Sequence, residues 1–175
     1  ILVAAEDKRF FKHPGFDIFA ILRAIFFYIT QRQRSGASTI EQQLVRTITQ
    51  NKSNSFKRKI KEIILASALG YKFSKNKIAE CYLSLAYYGH DINGLACAIK
   101  KISSLKYIRK DDIPFACIAL LKFPLPSSQS EEYRGKLLTR ISTIRDKINP
   151  ADIKHFCSIL SSGNTCFLSK VRGYI

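Results

Sequence analysis

The chain has 175 residues, with 29 Lys plus Arg against 13 Asp plus Glu and a formal net charge of +16. Its 46% hydrophobic residues fall in coherent stripes, which gives one domain enough apolar surface for a core and excludes a disordered chain. So lopsided a charge favours anionic partners: nucleic acid, acidic lipid headgroups or pyrophosphate-bearing molecules.

The chain opens at ILVAAED and contains no Met. We read it as a piece of a longer product whose upstream signal or anchor has been cut away. In EDKRFFKHPGFD, residues 6–17, a helical turn or two would set Glu6, Phe10 and His13 on one stripe. Pro14 and Gly15 then turn the chain, and Asp17 is placed to cap a helix over 18–30. The apolar run Ile18 to Ile29 is interrupted by Arg23 and is shorter than the ~20 residues a bilayer span needs. It is suited to lying on a membrane or dipping into one.

After the polar loop QRQRSGA, Ser38 and Glu41 read as a capping box for a helix over 39–50 carrying Ile40, Leu44, Thr47 and Ile48 on one face. Helices are expected over 55–71, over 75–88 ending at Gly89, and over 92–103. Asp112 precedes an apolar helix with Pro114 in its first turn, and Pro124 and Pro126 end it. A helix over 131–148 and one begun by Asn149-Pro150 complete the chain. No strand pattern exceeds a few residues and nothing marks a boundary, so we expect a mainly α, single-domain chain over 1–175. The five Cys (81, 97, 117, 157, 166) form no CxxC or Cys/His cluster, which argues against zinc. Cys81, Cys97 and Cys117 read as small core residues, and only Cys157 and Cys166 are close enough in sequence for a local bridge.

Three stretches carry chemistry. In RSGASTIEQQLVR, residues 34–46, Gly36 lets the backbone approach a ligand, and Ser38 and Thr39 set hydroxyls and free amides at a helix N-terminus, an anion site. Gln42, Gln43 and Arg46 follow on that helix. In FKRKIKE, residues 56–62, Glu62 stands among Lys57, Arg58, Lys59 and Lys61, whose charge keeps it ionised. In KIAECYLSLAYYG, Glu80 lies one turn before Ser84 and reads as structural. Taken singly, these are a helical corner, a capped surface helix and an ion-pair face worth a few tenths of a kcal/mol per pair.

Their order and spacing say more. E-D-x-x-F-x-x-H-x-G-x-D, then G-A-S-T-I-x-Q-Q-L, then R-K-x-x-E, then E-x-Y-L-x-x-x-Y-x-G closely resemble the peptidoglycan glycosyltransferases of family 51. These occur as monofunctional transglycosylases and as the polymerising half of class A penicillin-binding proteins. The resemblance is strong from about residue 4 to 98 and weak over 99–175. It implies a lysozyme-like fold of two lobes with a long substrate cleft. It also implies transfer of a lipid-linked glycan to the 4-hydroxyl of lipid II, with inversion and release of undecaprenyl pyrophosphate. The work would be done on the outer face of a bacterial cytoplasmic membrane.

By the resemblance Glu6 is the general base and Glu62 the second acid, facing it across the groove and arranging cationic groups or a divalent ion, Mg or Mn. Ser38, Gln42, Gln43, Arg46, Arg58, Lys59 and Lys61 match positions that line the site or hold phosphate. Asp7, Phe10, His13, Gly36 and Thr39 support the site, with Asp7 and His13 holding the corner by hydrogen bonds. Expected partners are lipid II, the lipid-linked glycan, an anionic membrane surface and cell-wall synthesis proteins; no organic cofactor and no nucleic acid are expected. Two acids in such a cleft also suit a glycosidase, but only transfer from a pyrophosphate explains the cations. Ser84 stands where the family usually has Asn, and Arg46-Thr47 where Lys-Asn is common. A non-catalytic scaffold that binds lipid II is the alternative reading.

Overall fold

The computed structural model describes residues 1–32, 36–51, 53 and 55–148. The expected helix from Asn149-Pro150, and Cys157 and Cys166, lie outside the described residues. Eight α-helices carry the described fold: α1 Leu2–Glu6, α2 Ile18–Gln31, α3 Ile40–Thr49, α4 Phe56–Lys72, α5 Lys75–Leu85, α6 Leu95–Ser103, α7 Ile113–Lys122 and α8 Glu131–Arg145. The chain is mainly α, as its pattern requires.

Short polar side chains start most of these helices. Asp17 caps α2 by accepting from the amides of Phe19 and Ala20, Ser55 caps α4 at Arg58, and Ser130 caps α8 at Tyr133. The expected capping box at α3 does not form. Thr39 is the cap, accepting from the Gln42 amide while its hydroxyl donates to the Gly15 carbonyl 2.7 Å away. Glu41 turns instead to Lys75.

Two other expectations change. The helix over 6–13 is interrupted: α1 ends at Glu6, and a single 3-10 turn, Phe10–Lys12, follows. Asp7 leaves the helix because its carboxylate is drawn inward to other donors. The helix over 75–88 stops at Leu85, and Tyr87–Gly89 (β1) pairs antiparallel with Ile92–Asn93 (β2). Tyr88 is fully buried there, and its carbonyl accepts from Leu125 while Leu125 accepts from His90, both at 2.8 Å. Gly89, at φ +155, lets that backbone close in: a Cβ would lie 2.4 Å from the Leu125 oxygen.

α3 packs on α4 and α5, α7 packs on α6 and α8, and α5 touches α6 to join the two groups. Ile40, Leu44 and Ile78 form the core of the first group, and Ile118, Leu137, Ile141 and Ile144 that of the second. Buried Cys81 and Cys117 are free thiols, pushed by burial to pKa values of about 11 and about 12. Cys97 corrects the expectation: it is exposed, because α6 turns Leu95, Ala98 and Ile102 inward. α2 buries none of its residues and exposes Phe19, Leu22, Phe26 and Ile29. No helix among the described residues is long and apolar enough to cross a membrane.

The corner at Pro14-Gly15 presses directly on α4. A Cβ on Gly70 would lie 2.2 Å from the Pro14 oxygen, and one on Gly15, at φ +133, would lie 2.3 Å from the Ala66 oxygen. Gly135, inside α8, has nothing within 4 Å of its Cβ position. We therefore expect Gly70→Ala to cost about 1–3 kcal/mol, whereas Gly135→Ala gains about 0.5–1 kcal/mol. Urea unfolding followed by far-ultraviolet circular dichroism checks both signs.

Candidate active site

Glu6 and Asp7 are adjacent but face different surroundings. Asp7 is buried and accepts from His13 Nε2 at 3.0 Å and from the Ile40 amide at 3.2 Å. His13 Nδ1 accepts from the Gly15 amide at 3.2 Å, so its proton sits on Nε2, toward Asp7. Phe10 is fully buried with its ring edge-on to His13, and Lys75 reaches over it to the His13 carbonyl and Glu41. Asp7, His13 and Thr39 are thus hydrogen-bonded across the corner, with Phe10 packed beside them. The common stripe with Glu6 does not form, because the helix breaks between them.

Glu6 lines a cavity of about 470 Å³ set between the two helical groups. Its walls come from the α1 corner, from Ala20 and Arg23 of α2, from Gly36 through Thr39, and from Gln43 of α3. Leu121 and Lys122 of α7 and Arg140 of α8 close the far side. Gly36 has open space at its Cβ position, so the protein itself does not require glycine there. Arg140 Nη2 donates to Glu6 Oε1 at 3.1 Å. Burial pushes the Glu6 carboxyl up, against smaller lowering effects from Arg140, Gln43 and Lys122, and the net shift is upward.

Glu62 is not among the residues that line this cavity. It is 3% exposed, and its oxygens accept from Arg46 Nε at 2.9 Å, from Arg46 Nη2 at 3.1 Å and from Arg58 Nη1. Burial pushes its carboxyl up, but the Arg46 hydrogen bonds and the charges of Arg46, Arg58 and Lys59 outweigh this and hold it below its ordinary value. Lys59 lies 3.8 Å from Glu62 and links the cluster to the cavity, donating to Gln42 Oε1 at 2.5 Å and to Ser38 Oγ at 3.1 Å. Two of the four expected cations are corrected. Lys57 and Lys61 are exposed and make no ion pair with Glu62 among the described residues, since they stand five residues before it and one before it, off the i,i+3 and i,i+4 stripe that carries Lys59 and Arg58; Arg46 takes their place.

Sequence reasoning missed Arg140, Lys122, Arg23 and Lys8, which line the cavity, and Tyr82, whose hydroxyl donates to Gln43 Oε1 at 2.6 Å. Tyr82 stood in a quoted motif. Lys8 stood inside the quoted stretch 6–17 and Arg23 inside the apolar run of α2, whereas Lys122 and Arg140 had no signal, because nothing local in a sequence shows which cation returns to a distant cavity.

The chain belongs to the transglycosylase family: the family model described as Transglycosylase matches residues 1–114. Penicillin-binding protein 1A of Rickettsia typhi is 35% identical over 152 residues, 83% of this chain and 19% of that protein. The protein of the same name from Rickettsia bellii is 36% identical over 152 residues, 83% of this chain and 18% of its own length. A monofunctional glycosyltransferase of Staphylococcus epidermidis is 44% identical over 87 residues, half of this chain and 32% of that one. The chain thus spans about a fifth of the length of the Rickettsia relatives.

Because the folded-state value of Glu62 lies below its unfolded value, its stabilisation is complete above the ordinary carboxylate range and fades as pH falls through the folded value. Glu62→Gln is expected to cost about 3 kcal/mol at neutral pH, since three cations lose their anion. It should also flatten the loss of stability on the acid side. Urea midpoints measured from pH about 3 to 7 check both effects.

Proposed function

We propose that the chain polymerises peptidoglycan glycan strands, transferring a lipid-linked glycan to the 4-hydroxyl of lipid II as undecaprenyl pyrophosphate leaves. The observation that carries this reading is a carboxylate, Glu6, largely buried on the wall of a cavity whose other charged lining residues are mostly cations: Lys8, Arg9, Arg23, Lys122 and Arg140, against Asp7 and Asp17. Burial raises its proton affinity toward the working range of a general base. The acceptor hydroxyl gives its proton to Glu6 as its oxygen attacks the anomeric carbon. The bond to the pyrophosphate oxygen breaks with inversion. Lys8, Arg23 and Lys122 make no ion pair among the described residues and are available for the departing negative charge.

In this reading Glu62 does not touch the sugar. It holds Arg46, Arg58 and Lys59, and through Lys59 it sets Ser38 and Gln42 at the start of α3. Lys61 has no part. The oxygens of Glu62 are already taken by guanidinium groups, so Mg or Mn does not fit on this acid. Asp7, His13 and Glu41 lie close together, but Lys75 already supplies the positive charge there. No step is assigned to a metal.

The membrane surface belongs to the same proposal. An exposed apolar α2 on a strongly basic chain suits the headgroup boundary of an anionic bilayer.

Incubation with labelled lipid II, with products separated by length, tests the enzyme reading. Wild type is expected to form glycan chains, and Glu6→Gln to lower the rate about 100-fold or more. Equal chains from both variants refute the assigned base, and chains from neither favour the lipid II-binding scaffold. Co-sedimentation with anionic vesicles tests the surface: Phe26→Asp is expected to reduce binding about tenfold.

A further inference from the structure

We propose that Arg140 is the positioning residue of the Glu6 carboxylate, brought by α8 from the stretch where family resemblance is weakest. This rests on the polymerase reading of Glu6 and deepens it. The contact joins residues 134 apart in sequence, and both side chains are largely buried, 17% exposed for Arg140 and 15% for Glu6.

Three observations carry the assignment. First, α8 is pinned at both ends. Its Ser130 cap and the bond from Tyr133 Oη to the Phe123 carbonyl, 2.9 Å, hold the start. Arg145 Nη1 on Asp112 Oδ1, also 2.9 Å, holds the end. Arg140 is delivered between these anchors, next to buried Ile141, so its reach to Glu6 is set by packed helix and not by a loose surface arm. Secondly, Arg140 Nε is buried with no partner, so the guanidinium enters the wall at a cost that its bond to Glu6 must offset. Thirdly, Gln43 lines the same cavity as Glu6, and Tyr82 donates to its Oε1 at 2.6 Å, so the group it has left to present to the cavity is its amide nitrogen. The direct hydrogen bond to the Glu6 carboxylate comes from Arg140.

The charged and polar groups that face Glu6 are Arg140 from α8, Lys122 from the end of α7, Gln43 from α3 and Tyr82 from α5. Arg140 opposes the upward effect of burial on the Glu6 carboxyl. Lys122 acts more weakly and is exposed, and the other two are neutral. Arg140 therefore both orients the carboxylate and counters its burial. A group that merely gripped substrate phosphate would supply neither in the empty protein.

Carbon-13 NMR titration of Glu6 in the substrate-free chain, together with kcat and KM for lipid II polymerisation, tests the inference. Arg140→Gln is expected to move the Glu6 midpoint to higher pH. It should also lower kcat roughly 10- to 100-fold at neutral pH with little change in KM. Arg140→Lys keeps the charge and is expected to recover most of both; if Arg140→Gln fails to fold, a smaller shift in the same direction for Arg140→Lys decides. Lys136→Gln, which removes an exposed α8 cation paired with Glu132 and away from both anchors, is expected to leave the midpoint in place. A Glu6 midpoint indifferent to Arg140, or a rise in KM alone, overturns the inference and leaves the polymerase reading intact. Wild-type protein that forms no glycan overturns that underlying reading instead.

Discussion

The carboxylate of Asp7 binds His13 Nε2 and the Ile40 amide at once, and in doing so it joins the end of α1, the Pro14-Gly15 corner and the N-terminus of α3. A buried carboxylate is tolerated only when its oxygens find donors, so this arrangement is strongly constrained. Thr39 reinforces it by donating to the Gly15 carbonyl, and Lys75 by donating to the His13 carbonyl at 2.7 Å. Gly15 and Gly70 permit the backbone contact that brings the corner onto α4. Once Asp7 points inward, the preceding residue faces the other way. Glu6 thereby reaches the cavity beside the amides that open α3.

The two acids of the site illustrate how environment separates chemically identical groups. Both pay for burial. Around Glu62 the direct bonds from Arg46 and Arg58 prevail, and its proton affinity falls. Around Glu6 burial prevails over one guanidinium and an amide, and its proton affinity rises. Under the proposed roles, a base at Glu6 and a cation-gathering anion at Glu62, the two groups need these opposite outcomes. The difference lies in how many cations touch each carboxylate, not in any property of glutamate.

Much of this was legible because it is local. Helix periodicity located α2, α3 and α4 to within a residue or two, and Asp17 announced its cap. The His13–Asp7 bond followed from matching the corner to a family pattern. Legibility failed wherever a distant partner overrode a local preference. Glu41 fits a capping box by spacing, yet Lys75 claims it from 34 residues away. Tyr87–Gly89 continues a helical stripe, yet Leu125 draws it into a strand-like pairing. Lys61 is adjacent in sequence to Glu62 but turns outward, while Arg46, on another helix, closes the ion cluster. Arg140 is the extreme case, since no local signal separates it from Arg134 or Arg145 on the same helix.

α2 ties the cavity to the surroundings of the molecule. Its first turn is fixed by Asp17, and Arg9 both pairs with Asp17 at 3.2 Å and stacks on the Phe19 ring at 4.2 Å. Beyond that turn it buries no side chain, so the protein core gives no reason for its run of Ile, Leu and Phe. An exposed apolar face of this kind usually meets another surface. The same helix also lends Ala20 and Arg23 to the cavity wall, so its apolar face and a cavity cation lie within one or two turns of each other. A substrate whose lipid tail adjoins a pyrophosphate has that same juxtaposition. If the apolar face of α2 lies in the headgroup boundary, as proposed, the tail can stay in the bilayer while the pyrophosphate meets Arg23, Lys8 and Lys122. The sugar is then presented at the depth where Glu6 is held.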